Sequence, residues 1–296
     1  LLTNKKQVMY LKVTEACNMK CPFCYVPQQP IFMTQDVAYK AIETYNPDYI
    51  IFHGGEPLLN PDLILDVIKK YPNKEYSMTS NMVIPIGEKQ LQIIHTLGNG
   101  NTATSYSIDR FYNQKDFEIF KQQVKLLKDY TLIVTISIEQ LNQPPKELAN
   151  IIKELNPKYI DIERVSFLGS KFNPDIYKII DLYISTLFTL IPKEKNVLYL
   201  KMKDAITYDT YVYNTKCSKD LITINADGST LSCPNTCSGD NIEPTNLECF
   251  TCNLFQYCGG DCETFKGVCK FPKNTFLKVK NGDFINGVSS KLPYSY

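Results

Sequence analysis

The stretch from Val8 to Tyr25, V-M-Y-L-K-V-T-E-A-C-N-M-K-C-P-F-C-Y, decides the fold. Its opening residues have strand character and run straight into Cys17, Cys21 and Cys24, spaced C-x3-C-x2-C. Clustered thiolates point to a metal, and a trio is one ligand short of a closed structural site. Two readings follow from these residues: a four-iron cluster whose remaining iron is open to a small chelating molecule, or a zinc site that borrows a fourth ligand from elsewhere.

A second motif lies about thirty residues on. The strand-like run Tyr49-Ile50-Ile51-Phe52 ends in His53-Gly54-Gly55-Glu56-Pro57. Paired glycines let a backbone approach a ligand closely, and the neighbouring carboxylate can accept hydrogen bonds from an ammonium group. Taken together, the two motifs resemble the radical S-adenosylmethionine (radical SAM) family. The resemblance implies that Cys17, Cys21 and Cys24 hold a 4Fe-4S cluster whose unique iron binds SAM. It also implies that Phe23 lies beside the adenine, and that Gly54, Gly55, Glu56 and the adjoining Pro57 form the pocket for the methionine amino group.

Length and composition narrow the setting. A chain of 296 residues can bury a full core and fits a large domain plus a smaller appendage, here divided at 1–200 and 201–296. Lys+Arg 32 against Asp+Glu 31 leaves no basic excess for a polynucleotide, so nucleic acid is not expected as a partner. No apolar run reaches the length of a membrane span and no secretory pattern opens the chain, so no membrane partner and a cytoplasmic location are expected. An odd count of 11 cysteines in that compartment favours metal or catalysis over disulfides.

Along the chain, strands alternate with helices. Thr34 is the expected N-cap of a first helix that stops at Asn46-Pro47, and Asn60-Pro61 reads as cap and first position of a second. A third strand, from Glu75, ends in Thr79-Ser80-Asn81; the family often has Thr-Asn-Gly there, and the glycine is absent. Gly98 closes a third helix. A strand over 102–108 delivers Ser107 and Asp109, resembling the family's Ser-x-Asp-Gly segment near the SAM ribose, with Arg110 in place of the glycine. A fourth helix, a buried parallel strand over 132–138, a fifth helix stopped by Asn156-Pro157, a strand at 159–162 and a final helix over 175–190 complete the alternation. Six strands and six helices predict an α/β fold with a parallel sheet, curled or open. The family resemblance implies the curled form, a partial (β/α)6 TIM-like barrel with the site at the C-terminal strand ends.

The remaining eight cysteines lie between Cys217 and Cys269, where composition shifts to short strands and turns, with a hairpin expected at Asp227-Gly228. Their spacing is C-x10-G-x4-C for Cys217, Gly228 and Cys233, then C-x2-C-x5-C-x3-C for Cys249, Cys252, Cys258 and Cys262, then Cys269. This resembles the seven-cysteine SPASM extension of a subset of radical SAM enzymes. The resemblance implies one auxiliary 4Fe-4S cluster on Cys249, Cys252, Cys258 and Cys269 and another on Cys217, Cys233 and Cys262, giving three clusters in all. Cys237 is left over: a fourth ligand to the incomplete cluster, a free thiol acting as hydrogen-atom donor, or a small buried residue. A zinc ribbon is the alternative for the whole segment.

The resemblance implies a SAM-derived radical that abstracts hydrogen, an external electron donor such as flavodoxin or ferredoxin, and a ribosomally made peptide as substrate. The expected products are a thioether or carbon–carbon cross-link or an epimerised residue. With the first strand beginning near residue 8, leader recognition is expected from the barrel mouth, the C-terminal tail or a separate leader-binding protein. Oxidation of a small alcohol or amino sugar is the alternative reaction, and a metal-stabilised binding protein the non-enzymatic one. Pro234 stands where the sulfatase-maturing branch has aspartate, which argues against that activity. Asp204, Tyr208, Asp209, Tyr211 and Tyr213 are candidate bases or radical partners; His53 and Arg110 are candidate ligand contacts, and His95 is expected to be structural.

Overall fold

A computed structural model describes residues 6–111, 113–164, 175–208, 221–231 and 272–282. Strands β1 (Val8–Thr14), β2 (Tyr49–Gly54), β3 (Glu75–Ser80), β4 (Thr102–Tyr106), β5 (Thr131–Ile136) and β6 (Tyr159–Arg164) lie side by side in chain order, every pair parallel. Helices α1 (Gln35–Tyr45), α2 (Pro61–Lys70), α3 (Glu88–Leu97), α4 (Gln114–Gln123), α5 (Ile138–Leu141) and α6 (Pro145–Leu155) make the crossovers. Sequential order has no switch point, so right-handed crossovers carry every helix to one face of the sheet. The buried residues agree. Met9, Leu11 and Val13 of β1 join Ile50 and Phe52 of β2 in the large core under the helices, whereas Val8, Tyr49 and Ile51 form a small cluster on the other face. The fold is thus mixed α/β with a parallel sheet, as expected.

Local chemistry explains where elements start and stop. The Thr34 hydroxyl accepts the Val37 N–H at the start of α1. Both α1 and α6 end on an asparagine in the left-handed region, Asn46 at φ 41 and Asn156 at φ 46, each followed by a proline that cannot continue the helix. Asn60 departs from expectation. It occupies the N-cap position of α2, but its amide caps nothing; Nδ2 donates to the carbonyls of Val13 at 3.0 Å and Met33 at 3.3 Å. Its side chain therefore ties the end of β1 to the chain that re-enters α1.

Three helices complete the described chain: α7 (Asp175–Leu187), α8 (Val197–Tyr208) and α9 (Lys273–Lys280). The carboxylate of Asp181 on α7 accepts the N–H groups of Asn274 and Thr275 and the Thr275 hydroxyl, which anchors the start of α9. The expected hairpin is present as β7 (Leu221–Ile224) and β8 (Thr230–Leu231), turning at Gly228 with φ 87. Its location was not anticipated: β7 pairs in parallel with β1, Val8 opposite Leu221 through Leu11 opposite Ile224, so the hairpin extends the sheet past its first strand. The eight cysteines from Cys217 to Cys269 lie outside the described residues, as do Asp209, Tyr211, Tyr213 and Pro234.

Candidate active site

The cysteine loop leaves the C-terminal end of β1 and is fastened at its base. Thr14 donates its hydroxyl to the Ile31 carbonyl at 2.8 Å and accepts the Ala16 N–H at 3.0 Å; the Glu15 N–H also reaches the Ile31 carbonyl. Cys21-Pro22-Phe23-Cys24 forms a turn, with the Cys24 N–H donated to the Cys21 carbonyl at 3.0 Å. The three thiols are half-buried and unpaired by any disulfide. Among the described residues no three metal-ligating side chains converge on one point as a single ion would require; thiolates bound to separate irons of a cluster need not converge.

The paired glycines serve that loop directly. The Gly55 N–H donates to the Thr14 carbonyl and the Glu56 N–H to the Ala16 carbonyl, both at 2.8 Å. A Cβ on Gly54, whose φ is 147, would lie 2.2 Å from the Thr14 oxygen, and one on Gly55 would lie 2.2 Å from the Ala16 oxygen. Sequence reasoning gave these glycines to close approach of a ligand; the close approach observed is to the backbone that carries Cys17.

Glu56 is fully buried and accepts three hydrogen bonds: Leu58 N–H and the Ser80 hydroxyl on Oε1, and the Asn81 N–H at 2.7 Å on Oε2. Burial pushes its carboxyl up, against those donors and the charge of Arg110. The carboxylate thereby joins the end of β2 to the end of β3. There Asn81 accepts the Val83 N–H on its own oxygen and donates to Asn18 at 2.8 Å, with Cys17 Sγ 3.7 Å away. Met82 follows with φ 52, so the loop adopts at Met82 the left-handed conformation a glycine would favour.

The fourth strand ends earlier than expected, at Tyr106, because Ser107 to Arg110 close a tight turn with the Arg110 N–H on the Ser107 carbonyl. Ser107 is fully buried and its hydroxyl has no partner, while the Asp109 carboxylate accepts from Ser137. Arg110 is 8% exposed, and its Nη2 donates to Met19 Sδ at 3.5 Å. Burial pushes the thiol of Cys21 up and the guanidinium beside it pulls it down; burial likewise raises Cys17, whose Sγ accepts the Met19 N–H at 3.4 Å.

His53 is the penultimate residue of β2, opposite Lys12 of β1, and sits edge-on to Tyr10 at 5.7 Å. Its Nδ1 is buried without a partner, and burial with the Lys12 charge pushes the imidazole down to about 4. Phe23 is half-buried on the cysteine loop and Pro57 is buried at the turn after Glu56. The other candidates lie apart: His95 is exposed on α3, Tyr208 is 68% exposed on α8, and Asp204, its carboxyl raised by burial, lies on α8 as well. Sequence reasoning did not include Ser80, Asn18 and Met19, which have no motif of their own and enter the site only through spatial contact.

The ends of four neighbouring strands thus hold three open thiols, a carboxylate clamped by three donors, an unpartnered hydroxyl and a buried guanidinium. Residues 11–138 match the family model of the Radical SAM superfamily. The radical SAM cyclopropyl synthase TigE of Paramaledivibacter caminithermalis is 22% identical over 329 residues, covering 95% of this chain and 64% of that protein. An uncharacterised protein of Archaeoglobus fulgidus is 26% identical over 112 residues, 36% of this chain and 26% of that one. The chain therefore spans 64% and 26% of the lengths of these curated relatives. Among solved structures, Streptococcus suis SuiB superposes with a TM-score of 0.60 at 13% identity, covering 88% of this chain and 73% of SuiB. SuiB bound to S-adenosylmethionine gives 0.54 at 14% identity, covering 88% and 71%.

Proposed function

We propose that this chain, a radical SAM protein by its match over residues 11–138, abstracts hydrogen from a ribosomally made peptide and leaves it cross-linked or epimerised. The observation that carries the reading is the backbone seam between the Cys17 loop and Gly54-Gly55-Glu56, which holds three thiols at the strand ends.

Cys17, Cys21 and Cys24 would hold the cluster. Bound together, a 4Fe-4S cluster and SAM supply one-electron cleavage of a sulfonium bond and the hydrogen abstraction that follows. The chain's own residues fit a polar cofactor there: the buried Ser107 hydroxyl and Arg110 Nε both lack partners, and Asn81 is held beside Cys17. Asp109, Phe23 and Pro57 flank the same space by sequence. The glycine seam fixes the loop, and Glu56 fixes the β2 and β3 ends with no freedom to move. The backbone of Gly54 and Gly55 is thus a stiff support for the cysteine loop.

Carbon–carbon bond formation, one of the proposed outcomes, is supported by the similarity to the radical SAM cyclopropyl synthase TigE along 95% of the chain. A cyclopropyl synthase closes a ring through a new carbon–carbon bond, one member of the proposed product class. Cysteines 217, 233, 249, 252, 258, 262 and 269, with Cys237 as completing ligand or free thiol, would hold two auxiliary clusters and offer an exit for the electron removed during cross-linking. A flavodoxin or ferredoxin would supply the first electron.

Co-expression with a short peptide encoded beside this chain, followed by mass spectrometry, tests the reading. Loss of two hydrogens marks a cross-link; unchanged mass with one deuterium acquired in heavy water marks epimerisation. A peptide returned unmodified, from cells in which the protein carries its iron, overturns the peptide assignment.

A further inference from the structure

Arg110 occupies a position that composition and periodicity leave unexplained. It ends the tight turn after β4, where a guanidinium must be buried to 8% exposure. Its Nη1 donates to the carbonyl and hydroxyl of Ser105, its Nη2 reaches Met19 Sδ at 3.5 Å, and its carbon centre lies 5.5 Å from the Phe111 ring. Met19 lies in the loop between Cys17 and Cys21, and its own N–H points to Cys17 Sγ. The neighbouring carboxylates take their hydrogen bonds from other groups, Asp109 from Ser137 and Glu56 from its three donors, while the charge of Arg110 still acts on Glu56. Arg110 Nε is buried and has no partner.

We propose that Arg110 is a positioning residue that places a fixed positive charge against Met19, inside the Cys17–Cys21 loop, and thereby raises the reduction potential of the cluster held by Cys17, Cys21 and Cys24. The inference rests on the cluster assignment above and goes beyond it. Reduction adds one negative charge to a group already surrounded by thiolates. A cation held within a poorly solvated wall favours the more negative state, because little water screens it. Arginine suits this role because it stays charged when buried, and its planar fork is locked by Ser105 and Met19.

The test is a redox titration of the full chain, reconstituted anaerobically and followed without SAM by the paramagnetic signal that SAM addition perturbs. Arg110→Gln keeps donors and removes charge; its cluster should become about tenfold harder to reduce, about 59 mV for one electron. Arg110→Ala should behave alike, and Arg110→Lys should recover most of the effect. Arg110→Gln with full iron and an unchanged potential overturns the proposal, and so does Arg110→Lys shifted as far as Arg110→Gln. An unaltered chain that holds iron but shows no signal responding to SAM overturns the cofactor reading together with the inference, whereas unchanged variants of a SAM-responsive chain overturn the inference alone.

Discussion

Two corners of the sheet face the same site and are built in opposite ways. Where β1 and β2 end, backbone meets backbone: Gly54 and Gly55 lie so close to Thr14 and Ala16 that a single Cβ would sit 2.2 Å from an oxygen. Where β3 and β4 end, side chains do the joining: Asn81 to Asn18, Arg110 to Ser105 and Met19, Asp109 to Ser137. A backbone seam tolerates one residue type, so its sequence is rigidly spelled. A side-chain seam can be made in several ways, and here the glycine of the resembled family's Thr-Asn-Gly loop is absent and Arg110 stands in place of another.

The sharpest way to break that contrast is Gly55→Ala. The added methyl meets carbonyl oxygens of Ala16 and Glu15, which cannot swing away as a side chain could. The cysteine loop must shift, with an expected loss of more than about 4 kcal/mol in denaturant unfolding and loss of the iron held by that loop from the purified protein. Wild-type iron and stability in this variant would show the seam to be loose.

A second, smaller effect falls on the link between the corners. Glu56→Ala strands three buried donors, on Leu58, Ser80 and Asn81, and should cost about 3 kcal/mol. Denaturant unfolding measures it; a loss under about 1 kcal/mol would mean that other acceptors serve those groups.

Acid should weaken the first corner. His53 is held at about 4 against an ordinary value near 6.5. Between those values the unfolded chain binds the extra proton, so stability is complete above about pH 6.5, falls as pH drops, and stops falling near pH 4. The loss is at most about 3 kcal/mol. His53→Gln should flatten that slope, which parallel unfolding curves at several pH values will show.

The smallest effect is expected at Met82→Gly, where two terms compete. Glycine relieves a left-handed backbone by about 1 kcal/mol, but removing a fully buried side chain costs about 2 to 3 kcal/mol. A net destabilisation of about 1 to 2 kcal/mol follows. A more stable variant would show that conformation, not packing, rules the second corner.

The same contrast explains what could be read from sequence. Helices with an apolar stripe and a stop such as Asn46-Pro47 were legible, since period and cap are local. The helix α8 was not anticipated: Leu198, Tyr199, Leu200, Met202 and Ala205 are all buried, so no single stripe marks it. Nor was the pairing of β7 with β1 foreseen, because a parallel partner more than two hundred residues away leaves no local trace. At the site the cysteines and glycines were legible as motifs. What Glu56 and Asn60 hold was not, because each binds groups distant in sequence.

The central claim is that the loop after β1 presents Cys17, Cys21 and Cys24 to a cluster that SAM binds. Anaerobically reconstituted chain, reduced and examined by electron paramagnetic resonance with and without SAM, tests it most directly. A cluster signal that changes on adding SAM, and that vanishes in a Cys17, Cys21 and Cys24 triple alanine variant, is the predicted result. Protein that carries zinc there, or a reduced chain in which no part of the cluster signal responds to SAM and none is lost in that variant, would contradict it.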